Sequence, residues 1–194
     1  MVKKKTCVFI SGEGTNFKKI LHRSKTEYNF PINLNLLVSN NIDAKGLKLA
    51  KKFDLPSIYI KRNKKNSFIV DVILLNELKK RQINLIILAG YMRILSSFFI
   101  RSFKGQIINI HPSLLPKYKG LNTYSKIIKN KEIRSGCTVH LVNEKLDSGK
   151  ILGRKFYYLD KNSNIENVKR KTQKLEHVIY SETIINLFKY KTNF

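Results

Sequence analysis

The chain has 194 residues, 42% of them hydrophobic with 11 Phe and 9 Tyr, enough apolar material for a substantial core in one domain. Its 38 Lys and Arg against 13 Asp and Glu give a formal net charge of +25, which alone would suggest a nucleic-acid partner. The lysines are dispersed rather than gathered in a tail, and the abundance of Asn and Ile beside them fits the codon bias of an A+T-rich genome, so nucleic acid is not the expected partner. No apolar run is long enough to span a bilayer, and Cys7 and Cys137 have neither CxxC nor metal-ligand spacing.

The opening Met1-Val2-Lys3-Lys4-Lys5 is basic, but the strand expected behind it, Thr6 to Ile10, runs straight into Ser11-Gly12-Glu13-Gly14. With no small-residue cleavage pattern there, no signal peptide is expected, and the two thiols are expected to be buried in a reducing cytoplasm. The loop Ser11-Gly12-Glu13-Gly14-Thr15-Asn16 then opens a helix over Thr15 to Ser24, so its backbone amides and the helix dipole could receive a phosphate. It is not the dinucleotide fingerprint, because Phe17 stands where a third glycine is needed and Ser39-Asn40 where an acidic residue would end the second strand. A glycine turn with Thr15 or Asn16 as helix cap fits this motif equally well.

Further strands are expected at Leu34 to Val38, Ser57 to Ile60, Leu85 to Leu88 and Gln106 to Ile110, with helices at Ala44 to Phe53 and Phe68 to Arg81 between them. Strands alternating with helices imply a Rossmann-like, mostly parallel sheet flanked by helices. The densest basic groups, Lys3-Lys4-Lys5 and Lys61-Arg62-Asn63-Lys64-Lys65, read as solvated surface.

The fifth strand carries the most informative segment, Ile108-Asn109-Ile110-His111-Pro112-Ser113-Leu114-Leu115-Pro116. Residues two apart on a strand face the same way, so Asn109 and His111 point together while Ile108 and Ile110 face the core. An amide that can donate to an oxyanion, beside an imidazole that moves protons near neutrality, suits attack on a carbonyl. Pro112 and Pro116 force the chain out of the sheet after His111, at the strand end where open α/β sheets bind ligands.

Two later strands, Cys137 to Val142 and Ile151 to Leu159, are joined by a polar turn around Asp147-Ser148-Gly149 too short for a crossover helix, so they should form an antiparallel hairpin. Asp147 taken alone is most simply the first residue of that turn, and His140, alternating with Val139 and Leu141, is given a structural or supporting role. Ser163-Asn164-Ile165-Glu166 fits a capping box before a long helix whose stripe is expected at Leu175, Ile179 and Leu187, with Glu176 and a partly exposed His177 beside it. His22 is expected to face solvent, and Arg93 could pair with a core carbonyl.

These pieces together resemble the glycinamide ribonucleotide formyltransferases, members of the folate-dependent formyltransferase superfamily. The resemblance covers nearly the whole chain. It rests on Ser11-Gly12-x-Gly14-Thr15-Asn16, Leu88-Ala89-Gly90-Tyr91-Met92-Arg93-Ile94-Leu95, Asn109-Ile110-His111-Pro112-Ser113-Leu114-Leu115-Pro116-Lys117-Tyr118-x-Gly120, Val139-His140, Leu146-Asp147-Ser148-Gly149 and Glu176-His177. It implies that Gly14, Thr15 and Asn16 hold the phosphate of glycinamide ribonucleotide, with Glu176 near the same substrate. It also implies that Met92, Arg93, Ile94 and Leu95, with Asn109, line the site of the donor 10-formyltetrahydrofolate, and that Asn109, His111 and Asp147 are catalytic. No metal is called for, the substrates are small molecules, and a monomer or homodimer is expected. Two departures stand out: Leu121-Asn122-Thr123-Tyr124 replaces the histidines many relatives carry after the glycine, and Lys150 stands where proline is common.

Methionyl-tRNA formyltransferases usually carry a further carboxy-terminal domain and formyltetrahydrofolate hydrolases an extra amino-terminal one, neither of which is expected in this sequence. Two alternatives remain: a related folate-dependent formyltransferase acting on a sugar nucleotide or on methionyl-tRNA, which the basic surface keeps open, and a catalytically silent basic protein that binds RNA. The intact Asn109, His111 and Asp147 weigh against the second.

Overall fold

A computed structural model describes residues 2–61 and 67–189. Most of the basic run Lys61-Arg62-Asn63-Lys64-Lys65 therefore lies outside the described residues. Seven strands follow one another across a mixed sheet in the order β3-β2-β1-β4-β5-β6-β7, and the chain separates into two units, Met1–Ile108 and Asn109–Phe194.

The first unit contains β1 (Lys4–Ile10), α1 (Thr15–Thr26), β2 (Ile32–Ser39), α2 (Lys45–Lys52), β3 (Ser57–Tyr59), α3 (Ser67–Lys80), β4 (Leu85–Leu88) and α4 (Ser97–Ser102). β1 pairs in parallel with both β2 and β4, and β2 with β3. Cys7, Val8, Phe9 and Ile10 are all fully buried, as a parallel strand covered on both faces requires, which is why β1 reads as an unbroken apolar run. The β1–β2 register slips between Thr6 and Cys7, and there the Thr6 N–H turns to the side chain of Asn35, Oδ1 at 3.3 Å. β1 is flanked by β2 on one side and β4 on the other, so strand order reverses at its carboxyl end, where open sheets take ligands.

β5 (Gln106–His111) carries the chain into the second unit, ending at His111 as the prolines dictate. There α5 (Thr123–Lys129) precedes the antiparallel hairpin of β6 (Arg134–Leu141) and β7 (Ile151–Tyr158), and α6 (Ile165–Lys189) packs on both strands and on α5. The hairpin turn needs its glycine, because a Cβ on Gly149 would lie 1.7 Å from the Leu141 carbonyl oxygen.

Three sequence expectations shift. The cap of α6 is Asn164, whose Oδ1 accepts from Asn167 N–H at 2.8 Å; Ser163 is drawn into the preceding turn by its own N–H bond to Asp160 O. The buried face of α6 runs through Val168, Thr172, Glu176, Tyr180, Thr183, Ile184 and Phe188 with Ile179, whereas Leu175 and Leu187 are half-buried. Polar Thr and Glu on that face hid it from an apolar-only pattern; Tyr157, for instance, uses its hydroxyl to meet Val168 O and Thr172 Oγ1. Finally, α4 and α5 were not anticipated, since at 6 and 7 residues each is too short to show a period.

Candidate active site

In the first unit, β1 delivers the chain into the turn 11–14. Gly14 is the residue before α1 and adopts φ +68°, a left-handed conformation that favours glycine, while a Cβ there would meet the Gly46 α-carbon only at ordinary contact distance. Thr15 and Asn16 lie inside α1, whose cap position is Gly14 with no side-chain cap bond. Asn16 is buried. At the edge of the turn, exposed Glu13 pairs with Lys45, Nζ at 2.9 Å.

Ser11 joins this turn to the segment after β4. Its hydroxyl accepts from Met92 N–H at 2.8 Å and donates to Asn40 Oδ1 at 2.6 Å, its N–H donates to Gly90 O at 3.2 Å, and its carbonyl accepts from Asn41 Nδ2 at 3.0 Å. The segment so anchored leaves Met92, Arg93 and Ile94 exposed and buries Leu95. Exposure of Arg93 sets aside a pairing with a core carbonyl. Below the segment, the buried Asp71 of α3 accepts from the Ser96 hydroxyl, which in turn caps α4 by accepting from Phe99 N–H.

In the second unit the residues at the end of β5 meet the β6–β7 turn. Asn109 is half-buried and His111 buried. His111 places Nδ1 3.3 Å from Asp147 Oδ2 and Nε2 2.8 Å from the Tyr118 carbonyl oxygen. Asn109 Nδ2 lies 3.3 Å from His140 Nε2, which lies 3.6 Å from Asp147 Oδ1. The Gly120 amide donates to Asp147 Oδ2 at 2.8 Å. The three residues proposed from the sequence as catalytic therefore lie in one run of contacts, in which a fourth, His140, bridges Asn109 to Asp147. Its supporting role was anticipated but its position between them was not. The signal for it was a polar residue on a strand that proves buried on both faces. Tyr118 and Gly120 act through main-chain atoms and carry no side-chain signature of that role.

Proton positions follow from the acceptors. A carbonyl only accepts, so His140 Nδ1, 2.8 Å from Leu141 O, carries a proton; Nε2 lies between the Asn109 amide and Asp147 Oδ1, accepting from the amide in the neutral ring and donating to the carboxylate when the ring is charged, and the second N–H of that amide aims elsewhere. His111 Nε2 faces a carbonyl and Nδ1 a carboxylate, so a neutral ring satisfies one of them and only the imidazolium satisfies both. Burial opposes that charge and brings His111 below the usual histidine range, although the Tyr118 carbonyl and Asp147 pull the other way. For Asp147 burial pushes upward, but His140, the Gly120 amide and the His111 charge outweigh it and hold the carboxyl below the usual range. Asp147 also borders a shallow recess with Leu115, Pro116, Lys119 and Ser148.

Glu176 is buried on α6, where its charge adds to burial in raising Tyr124, Tyr180 and Cys137, the last to about 12. Both cysteines are free and buried, His22 is exposed and His177 half-buried. Among the described residues no helix is long and apolar enough to cross a membrane.

The formyl transferase family matches residues 4–184. The chain is 39% identical over 178 residues to the phosphoribosylglycinamide formyltransferase of Haemophilus influenzae, covering 91% of this chain and 84% of that protein. It is 35% identical over 185 residues to that of Bacillus subtilis, covering 95% and 94%. The crystal structure of phosphoribosylglycinamide formyltransferase from Bacillus halodurans superposes with a TM-score of 0.90 at 29% identity, covering 98% of each chain. A match over most of the sequence, with the same fold and with Asn109, His111 and Asp147 drawn together, leaves one conclusion: the chain belongs to the formyl transferase family and is a folate-dependent formyltransferase.

Proposed function

We propose that the chain transfers the formyl group of 10-formyltetrahydrofolate to the amine of glycinamide ribonucleotide, a step of de novo purine biosynthesis, acting as a single catalytic domain in the cytoplasm on small-molecule substrates. The observation that carries this reading is the contact of His111 with Asp147 beside Asn109 in a chain whose relatives bear that activity by name. Gly14, Thr15 and Asn16 would take the nucleotide phosphate, Glu176 would lie toward the nucleotide, and Met92, Arg93, Ile94 and Leu95 would take the folate.

The substrate amine attacks uncharged, and an α-amino group titrating near about 8 leaves a useful neutral fraction at cellular pH. A C–N bond forms to the formyl carbon, giving an oxyanion on carbon and a cationic nitrogen. The second N–H of Asn109 meets that oxyanion. Because His111 Nε2 is held by Tyr118 O at 2.8 Å, its donor toward the oxyanion is Nδ1 in the protonated ring, whose contact to Asp147 is the longer at 3.3 Å. Asp147 takes the proton from the new ammonium, through a water, and returns it to the folate nitrogen as the old C–N bond breaks.

The test is a spectrophotometric transfer assay offering glycinamide ribonucleotide, an aminated sugar nucleotide, methionyl-tRNA or water as acceptor, on the wild type and on His111→Asn. Turnover with glycinamide ribonucleotide alone, lost in the folded variant, is the expected result. Turnover only with another acceptor would move the substrate assignment, and a variant with near wild-type turnover would remove His111 from the chemistry.

A further inference from the structure

The loop after Pro116 touches both members of the His111–Asp147 pair, and it does so with main-chain dipoles of opposite sense. The Tyr118 carbonyl oxygen faces an imidazole N–H at 2.8 Å, and two residues later the Gly120 N–H faces the carboxylate at 2.8 Å. A negative dipole end on the imidazole and a positive one on the carboxylate complement the charge-separated form of the pair. To present its carbonyl this way, Tyr118 adopts φ +58°, a left-handed conformation rare for a residue with a Cβ.

Something must hold that conformation, and the side chain of the same residue is tied down at its far end. The Tyr118 hydroxyl donates to Glu132 Oε1 at 2.5 Å and accepts from Asn130 Nδ2 at 2.9 Å. Lys117 Nζ reaches the same Glu132 oxygen at 2.8 Å. Glu132 follows α5 and precedes β6, so the phenol is moored to the lead-in of the strand that carries His140. A neighbouring bond of Ser113 Oγ to Lys117 O at 2.5 Å fixes the start of the loop.

We infer that Tyr118, with its hydroxyl moored on Glu132, is a positioning residue for formyl transfer: the mooring keeps the left-handed turn that sets the Tyr118 carbonyl and the Gly120 amide on His111 and Asp147. This inference rests on the catalytic reading of that pair. It assigns to the Tyr118–Glu132 bond a consequence for the imidazole, although neither side chain touches it. The charged and titratable groups that act on His111 are Asp147 from the β6–β7 turn, His140 from β6 and Lys126 from α5; none of them changes when the phenol is altered, so a shift of the ring reports the carbonyl.

The experiment uses the full chain as Tyr118→Phe, Glu132→Leu and Glu132→Gln, with steady-state kinetics and an NMR titration of the His111 ring. Tyr118→Phe and Glu132→Leu should lower kcat about tenfold, less than the hundredfold a fully misplaced reactive group costs, with KM for both substrates within about twofold. The His111 midpoint should fall by roughly half a pH unit as the carbonyl drifts away. Glu132→Gln keeps an accepting oxygen for the phenol and should restore most of both values. Wild-type kcat and an unmoved His111 midpoint in Tyr118→Phe would overturn the inference, as would losses that track a lowered thermal midpoint and leave the ring titration unchanged. His111→Asn separates the two claims. If that variant is inactive while Tyr118→Phe behaves as wild type, positioning alone fails; if it stays active, the catalytic reading fails first and the positioning role with it.

Discussion

The turn after β1 presents main-chain amides and a glycine at φ +68°, whereas the cluster at the end of β5 presents side chains that are buried or half-buried and in polar contact with one another. The chemistry the first offers is generic, since any helix start offers amides to an anion. The second is specific, since a buried carboxylate and two imidazoles persist only when each finds a partner. The difference predicts where substitutions register: changes in the side-chain cluster should appear in kcat, and changes in the loop scaffold of the first unit in KM.

The sharpest break of that contrast is Asn109→Leu. It removes the amide proposed to meet the oxyanion, and kcat should fall on the order of a hundredfold to a thousandfold, with KM little changed. The variant also leaves His140 Nε2 without its donor, a cost of about 1–3 kcal/mol in stability, so thermal melts should accompany the kinetics. A fall confined to KM would mean that Asn109 binds the ground state and does not act on the transition state.

Next in size is Ser11→Ala, which removes the acceptor for Met92 N–H and the donor to Asn40 while leaving the backbone bond of Ser11 N–H to Gly90 in place. Loss of one such bond is worth about 0.5–1.5 kcal/mol, so KM for the formyl folate should rise roughly twofold to tenfold with kcat nearly constant. If kcat fell and KM held, the segment 92–95 would be positioning the reacting carbon rather than binding the folate body, and the contrast between the two regions would blur.

How much of this was legible in the sequence divides along the same line. The alternation of strands and helices, the hairpin, and the Asn109–His111 pair could be read because each rests on spacing and residue type. Asp147 looked like an ordinary turn residue, because what distinguishes it, the approach of His111 to 3.3 Å and of the Gly120 amide to 2.8 Å, is made across 27 to 36 residues of chain. His140 was read only as structural or supporting, because its alternation with Val139 and Leu141 says nothing of β6 being covered on both sides or of its ring lying between Asn109 and Asp147. The stripe of α6 was misplaced because Thr172 and Glu176 are buried polar residues that find their place through tertiary contacts. The role of Ser11 as a hub joining three loops has no local signature at all.

The smallest effect is the most discriminating about the protonation state of the pair. His111 is held below its usual value, so between the folded value and the unfolded value near ~6.5 the unfolded chain binds more protons than the folded one. Stability from this residue is therefore complete above that window and declines as pH falls through it. Asp147 is also held low, so its contribution is present above the unfolded value near ~3.9 and is lost only as pH falls through its folded value. Thermal midpoints of the wild type should decline in two steps on acidification, and His111→Asn should abolish the upper step. The opposite result, a wild type that gains stability over His111→Asn as pH falls toward 6, would mean that the Tyr118 carbonyl and Asp147 together outweigh burial. The imidazolium would then be the resting form, and the ring would enter the reaction with its proton already on Nδ1.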